Sequence, residues 1–419
     1  MRETVLDRFL RYVKIDTQSA EGVEDFPSTA KQFDLLKLLR DELAELGLDG
    51  VELDKHGYVT ATLPANLPEG HPAADKVPAV AFLAHVDTSP DVSGKDVKPQ
   101  IHENYQGGDI QLPGDPEQVI RVADTPQLKT AVGCDIVTTD GTTLLGADDK
   151  AGIAEIMTAL DRLISDPSIH HGPIKVGFTP DEEVGRGVDF FDVEKFGADV
   201  AYTLDGSVLG EIEDETFNAW GALYKIQGIN VHPGYAKGKM VNAIRVAADI
   251  VSRMPYDMSP ETTEKREGYL HPHGVTGGTD QAELKVLIRD FDLQGIDEKS
   301  DLLRTIRDEA AEAWPGAKID LEIKESYRNM RLKLDEDPRA VEYAMEAIRR
   351  AGHEPHKELI RGGTDGARLC YMGLLTPNLF AGGVNFHSKL EFVPVQWMEA
   401  AVETIVQLAG VWLEKSAEA

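Results

Sequence analysis

Apolar residues recur along this chain with two different periods. Val5, Leu6, Phe9, Leu10 and Val13 fall at helical spacing, and Phe33, Leu36, Leu39 and Leu43 form a second stripe across 31–47. Between such helices lie short, continuously apolar runs that suit strands buried on both faces. They are Pro78-Ala-Val-Ala-Phe-Leu-Ala84, Ile174-Lys-Val-Gly-Phe-Thr179 and Asp199-Val-Ala-Tyr-Thr-Leu204, with a helix predicted near 149–165 before the second. This alternation predicts an α/β fold, a mostly parallel sheet with helices on both faces. From about 215 the order changes to strand (219–228), helix (240–253), two strands (269–276 and 281–290), helix (297–313) and strand (318–326). That β-α-β-β-α-β order is ferredoxin-like. After Pro338 the α/β pattern resumes and ends in an amphipathic helix near 397–414. The expected organisation is a catalytic α/β domain in two parts, 1–214 and 331–419, with an α+β lid domain, 215–330, inserted between them. The segment 91–140, rich in Gly, Pro and Asp, is expected to form irregular strands or hairpins.

Composition narrows the function classes. The 419 residues carry 73 Asp+Glu against 43 Lys+Arg, a formal net charge of -30. Such a surface repels phosphate backbones and anionic lipid, so nucleic-acid and membrane partners are not expected. The first 13 residues are broken by charges and lack the apolar core of a signal peptide, and no apolar stretch is long enough to span a bilayer. Cys134 and Cys370 are isolated; a single disulfide is the alternative to the better reading, two free thiols in a reducing compartment. These readings together predict a cytoplasmic protein.

The chemistry lies where the strands end. The run 78–84 leads into His85-Val-Asp87, and 174–179 into Pro180-Asp-Glu182-Glu183. The run 199–204 ends at Asp205, and Asn378-Leu-Phe-Ala381 leads through glycines to Asn385-Phe-His387. Asp148 and Asp149 open the helix near 149. In an open α/β sheet, sites form outside the carboxyl ends of the strands. Two imidazoles and several carboxylates gathered there suit zinc. Each piece also has a plainer reading: His-x-Asp as a hydrogen-bonded pair, Asp148 or Asp149 as a helix N-cap, Glu182 and Glu183 as solvated charge, Asp205 before Gly206 as a turn. Recurrence of the pattern after several buried strands favours a common site. His170, His171, His271, His273, His353 and His356 lack such company and read as surface or loop histidines.

Five segments carry a family resemblance: Ala84-His-Val-Asp-Thr-Ser89, Leu144-Leu-Gly-Ala-Asp-Asp-Lys-Ala-Gly152, Phe178-Thr-Pro-Asp-Glu-Glu-Val-Gly-Arg-Gly187, Asn230-Val-His-Pro-Gly234 and Asn385-Phe-His-Ser-Lys-Leu-Glu391. The chain resembles the cocatalytic di-zinc exopeptidases, a family that includes carnosine dipeptidases, succinyl-diaminopimelate desuccinylase and the peptidase T branch of tripeptide aminopeptidases. The likeness to that branch runs the whole length. It implies two Zn²⁺ per subunit, for which Co²⁺ or Mn²⁺ can substitute. It further implies that Asp148 bridges the two ions, with His85 and Asp205 completing one set and Glu183 and His387 the other. Glu182 would be the general base, and Asp87 would hydrogen-bond the far nitrogen of His85. Three carboxylates offset three of four positive charges, and a bridging hydroxide neutralises the rest. Asp87, two residues from His85, is expected on the same face of the strand.

The resemblance also assigns three substrate contacts. His232 resembles a lid histidine that donates to the oxyanion and can come from a partner subunit. Arg289, in Leu-Ile-Arg-Asp-Phe, resembles the arginine that grips a peptide's C-terminal carboxylate, a task suited to a guanidinium. Its separation from the metals would then act as a ruler for peptide length. Arg361, in Arg-Gly-Gly-Thr-Asp-Gly366, is expected to line the cleft. The expected substrates are short peptides, above all tripeptides cut at the N-terminal bond, and the expected assembly is a homodimer through the inserted domain. Competing readings are a dipeptidase, carboxypeptidase or N-acyl amino acid deacylase of the same family, and a non-catalytic scaffold. Glu182 argues against the scaffold, which needs no spare carboxylate beside the metals.

Overall fold

A computed structural model describes residues 3–418. By its contacts the chain divides into two compact units. Among the described residues the first comprises 3–214, 332–358 and 364–418, and the second 215–331 with 359–363.

The first unit is built on an eight-stranded sheet. In spatial order its strands are Asp49–Leu53, Val59–Leu63, Ile174–Thr179, Val80–His85, Val200–Gly206, Asn378–Phe380, Glu211–Thr216 and His356–Ile360. The centre is parallel, from Ile174–Thr179 to Asn378–Phe380, and the pairs flanking it are antiparallel. Every residue of Val80–His85 is buried, as expected for a strand covered on both faces. Phe82 and Tyr202 project to one face, their rings 6.0 Å apart. The Tyr202 hydroxyl there donates to the Ala340 carbonyl and accepts from Trp412 Nε1, so strand, helix Arg339–Arg350 and helix Val395–Glu418 are tied at one point. Ala81, Leu83 and Ala201 face the other way, against Phe191, Phe196 and Leu369. Each fully buried Phe or Leu in these layers contributes roughly 1.5–3 kcal/mol relative to exposure.

The helix Ala147–Ser165 crosses behind the strand ends. Its Gly152 permits a close approach: a Cβ there would fall 2.2 Å from the Leu204 carbonyl oxygen. The first helix, Val5–Tyr12, opens with a capping box in which Asp7 N donates to Thr4 Oγ1 and Thr4 N to Asp7 Oδ2. The segment 91–140 supplies the short strands Gln100–His102, Ile110–Gln111, Val119–Ile120 and Ile136–Thr138. Ile136–Thr138 pairs with Gln100–His102 on one side and Phe392–Pro394 on the other.

In the second unit, strands Asn218–Gln227, Tyr269–Gly277, Gln281–Asp290 and Lys318–Tyr327 form an antiparallel sheet with helices Ala243–Arg253 and Leu293–Ala313. Numbered along the chain, the strands lie in the order 2-3-1-4, the ferredoxin-like arrangement. The alternating burial of Gln281–Asp290 places Ala282, Leu284, Val286 and Ile288 in this unit's own core. Among the described residues, no helix is long and apolar enough to cross a membrane.

Candidate metal centre

Strand register sets the geometry. Leu83 pairs with Thr203, so His85 and Asp205, each two residues further on, emerge at the same level. His85 itself pairs with Thr179, after which the chain turns into the short 3-10 segment Glu182–Val184. Three parallel strand ends thus deliver His85, Glu182 with Glu183, and Asp205 to one rim.

Asp148 lies at the centre. Its Oδ1 is 2.8 Å from His85 Nε2, and its Oδ2 is 3.2 Å from His387 Nε2. Asp205 Oδ1 approaches the same His85 nitrogen at 3.5 Å, and Glu183 Oε2 lies 2.8 Å from His387 Nε2. Two three-donor groups result, His85–Asp148–Asp205 and Asp148–Glu183–His387, with Asp148 common to both. Four of the five side chains are largely buried, and His387 is the exposed member.

The electrostatics of these groups calls for cations. Burial pushes the carboxyl groups of Glu182, Glu183 and Asp205 up, and the nearby Asp148 charge pushes the last two further. Burial would raise Asp148 too, but its contacts with His387 and His85 hold it below the usual range. His387 is raised by its contacts with Asp148 and Glu183. Glu183 Oε1 is buried with no hydrogen-bond partner, an orphan acceptor in a dense cluster of acids. Oxygen and imidazole donors of this kind, crowded and desolvated, fit a pair of divalent ions.

The Asp87 carboxylate lies beside the far nitrogen of His85, but strand alternation is not what aims it there. The strand ends at His85, so Asp87 lies beyond it and alternation does not set its direction. The nearer partner of His85 Nδ1 is the Asp87 carbonyl oxygen at 3.0 Å, with carboxylate Oδ1 at 3.3 Å. The carboxylate chiefly accepts from backbone: Glu182 N donates to Oδ1 at 3.0 Å and Glu183 N to Oδ2 at 3.2 Å. Asp87 therefore holds the loop that carries the two glutamates. From its other side the loop is held through Asp181, whose φ is +58°. The Asp181 carboxylate accepts from Ser28 N at 2.6 Å and Gln32 Nε2 at 2.7 Å.

Asp149 is buried and takes the N-cap role, accepting from Gly152 N at 3.2 Å and from His85 N at 3.2 Å. This leaves Asp148 free of that duty. His171, read above as a surface or loop histidine, is in fact buried, its Nδ1 2.7 Å from the Gly172 carbonyl.

One residue of the site had no role assigned from the sequence. Glu391 is almost fully buried and accepts from Leu145 N at 2.8 Å, Gly146 N at 2.7 Å and Asp148 N at 3.0 Å. The available signal was a lone acid in the otherwise apolar run Leu390-Glu-Phe-Val393.

The three predicted substrate residues lie in the second unit. His232 is exposed at the start of the turn Pro233–Tyr235, its Nδ1 accepting from Gly234 N. Arg289 donates to the Trp220 and Ile288 carbonyls and lies 5.6 Å from the Tyr327 ring centre. Arg361 donates to the Lys265 and Glu267 carbonyls and to Thr263, with Phe217 and Tyr269 beneath it. Its donors are thus spent inside its own unit.

The family model for peptidase family M20/M25/M40 matches residues 139–410. The chain belongs to this family. Peptidase T of Caldanaerobacter subterraneus subsp. tengcongensis is 49% identical over 98% of this chain and 99% of its own length. The solved tripeptidase of Staphylococcus aureus subsp. aureus Mu50 shares the fold with a TM-score of 0.76 at 23% identity, covering 98% of each chain. The YxeP protein of Bacillus subtilis, described as a dinuclear metal binding peptidase of the M20 family, matches with a TM-score of 0.64 at 16% identity, again over 98% of each chain. With membership in this family, a relative matched over nearly its whole length and a metal-competent acid cluster, the chain is a metal-binding peptide hydrolase.

Proposed function

We propose that this chain is a two-zinc aminopeptidase that removes the N-terminal residue of short peptides, chiefly tripeptides. The observation that carries the reading is the Asp148 carboxylate, which turns one oxygen to His85 and the other to His387. A carboxylate so shared suits two cations side by side better than one. The names of the relatives, Peptidase T and tripeptidase, support the substrate class.

In this reading His85, Asp148 and Asp205 hold one ion, and Asp148, Glu183 and His387 the other. When bound, such a pair would polarise a carbonyl and lower the pKa of a bound water toward neutrality. Glu182 follows Glu183 in no ligand set and keeps its carboxyl for proton transfer. It takes a proton from the attacking water and returns it to the leaving amine. The amide donors fixed by Asp87 keep Glu182 from drifting as its charge changes. His232 and Arg289 are assigned to the oxyanion and the substrate carboxylate by resemblance. Arg361 is better read as a tie within its own unit, since its donors are already engaged. Zinc as the native metal, a cytoplasmic location and a dimer through the inserted unit belong to the same proposal.

The test combines metal analysis of the purified protein with a panel of di-, tri- and tetrapeptides. Two ions per chain, and cleavage of free tripeptides at the first bond with N-blocked peptides untouched, are expected. Release of a C-terminal residue or of an N-acyl group would replace this reading with another family activity.

A further inference from the structure

Glu391 sits at the base of an unusual loop. Val384 and Phe392 close it by a two-bond antiparallel bridge, Val384 N to Phe392 O at 2.9 Å and Phe392 N to Val384 O at 3.1 Å. Within it Asn385 and His387 adopt φ of +59° and +58°, the left-handed region that costs a non-glycine residue of order 1–3 kcal/mol. Such backbone persists only where its surroundings over-determine it. Internal bonds do part of this: Ser388 Oγ donates to the Asn385 carbonyl, and Asn385 Nδ2 to the Leu390 carbonyl. Outside the loop, Asn385 Nδ2 also donates to Thr125 Oγ1 and His387 Nδ1 lies 3.6 Å from Asp91 Oδ2, but none of these contacts reaches the segment that bears Asp148.

Glu391 makes that connection. Four residues beyond His387, it receives three backbone N–H groups from the segment leading into Asp148, one of them Asp148's own. On either side the segment is held by Leu144 N donating to the Ser93 carbonyl and Lys150 Nζ to the Ile15 carbonyl, which leaves the amides of 145, 146 and 148 to Glu391. Within the segment Gly146 has φ +81°, and Asp148 and Asp149 are non-helical although the helix is already beginning. One side chain therefore locks a strained loop bearing His387 to an irregular segment bearing Asp148. The 3.2 Å approach of His387 Nε2 to Asp148 Oδ2 spans the same two segments.

We infer that Glu391 is a positioning residue for the second cation: by gripping the amides of 145, 146 and 148 it sets the His387–Asp148 separation and so the affinity of the His387 set. It touches no substrate and is not a ligand. The inference rests on the reading of Asp148, Glu183 and His387 as ligands. A carboxylate is the right group here, because both oxygens accept and neither donates. In Glu391→Gln an NH₂ would replace one acceptor and face an N–H. In Glu391→Asp the charge is kept and the reach is one methylene shorter.

The test is competition of Zn²⁺ alone against a chelator of known affinity, with the metal-free melting temperature measured in parallel. The wild type should take up two ions. Glu391→Gln should weaken the His387 step by about 10- to 100-fold, the range for residues that orient ligands from behind. Under chelator pressure it should fall to one ion per chain while the metal-free protein stays folded. Should the Gln variant fail to fold, Glu391→Asp carries the test and should show the same loss in that step. Wild-type affinity in both steps, with only the melting temperature lowered, would make Glu391 a structural group and overturn the inference. A wild type that binds fewer than two ions would instead overturn the two-zinc reading on which it stands.

Discussion

The Asp87 carboxylate gives the sharpest test of how the site is held. Replacing it with Asn is nearly isosteric, and the side chain is fully buried, so no cavity opens. Asp87 now accepts from Glu182 N on one oxygen and Glu183 N on the other. Asn offers one acceptor, so one amide keeps its bond and the other meets an NH₂. A hydrogen bond to a charged group contributes about 1.5–3 kcal/mol, and leaving a buried donor unmade costs a comparable amount. If one such bond is lost from the loop bearing Glu182, the proposed general base, kcat should fall about 10- to 100-fold, each 1.36 kcal/mol being tenfold. The loss should sit in kcat, because the loop orients Glu182 and does not select the substrate. The assay is initial rates on a free tripeptide with Zn²⁺ saturating, with metal content measured on the same sample. An Asp87→Asn enzyme with two ions and kcat within threefold of wild type would refute the reasoning.

Further outcomes are expected. Glu182→Gln should keep fold and metal content but lose about 10²- to 10⁴-fold in kcat, the usual weight of a general base, and wild-type turnover would exclude it from proton transfer. Arg289→Ala should raise KM for a tripeptide but not for the same tripeptide amide, and an equal effect on both would remove the carboxylate-gripping role. Gly152→Ala should cost at least about 2 kcal/mol in urea unfolding, because its Cβ would collide with the Leu204 carbonyl and the Asp149 carboxylate, and an unchanged midpoint would contradict that packing. Burial lowers the His171 pKa. The unfolded chain then binds a proton that the native state refuses, so this contribution is complete above about pH 6.5 and is lost as pH falls below it. Metal-free His171→Gln should therefore show a shallower loss of stability between pH 7 and 5 than wild type, by up to about 1.4 kcal/mol per pH unit, and equal slopes in urea titrations would refute the assignment.

Much of the fold was legible because its signals are local. The fully buried strand Val80–His85 shows as an unbroken apolar run, and the second unit shows as a change of element order. His85, Glu183, Asp205 and His387 could be singled out because each follows such a run. What sequence could not supply was partnership at a distance. Glu391 looks like an isolated charge until its three amide donors, some 240 residues earlier, are brought against it. Asp87 was assigned a direction by strand alternation, yet the strand stops short of it. The division of labour between Asp148 and Asp149 depended on where the helix begins, and a two-residue departure from helical geometry leaves no pattern in residue types.

The donors around Asp148 also differ in when they become available. His85, Asp148 and Asp205 all precede the second unit in the chain, whereas His387 comes after it. During synthesis one set is complete in sequence while the other still awaits its imidazole. In the proposed two-ion reading the second set therefore stays incomplete until the segment that carries Asn378–Phe380 docks beside Val200–Gly206. A peptide-cutting enzyme arranged this way gains its activity only as its folding finishes.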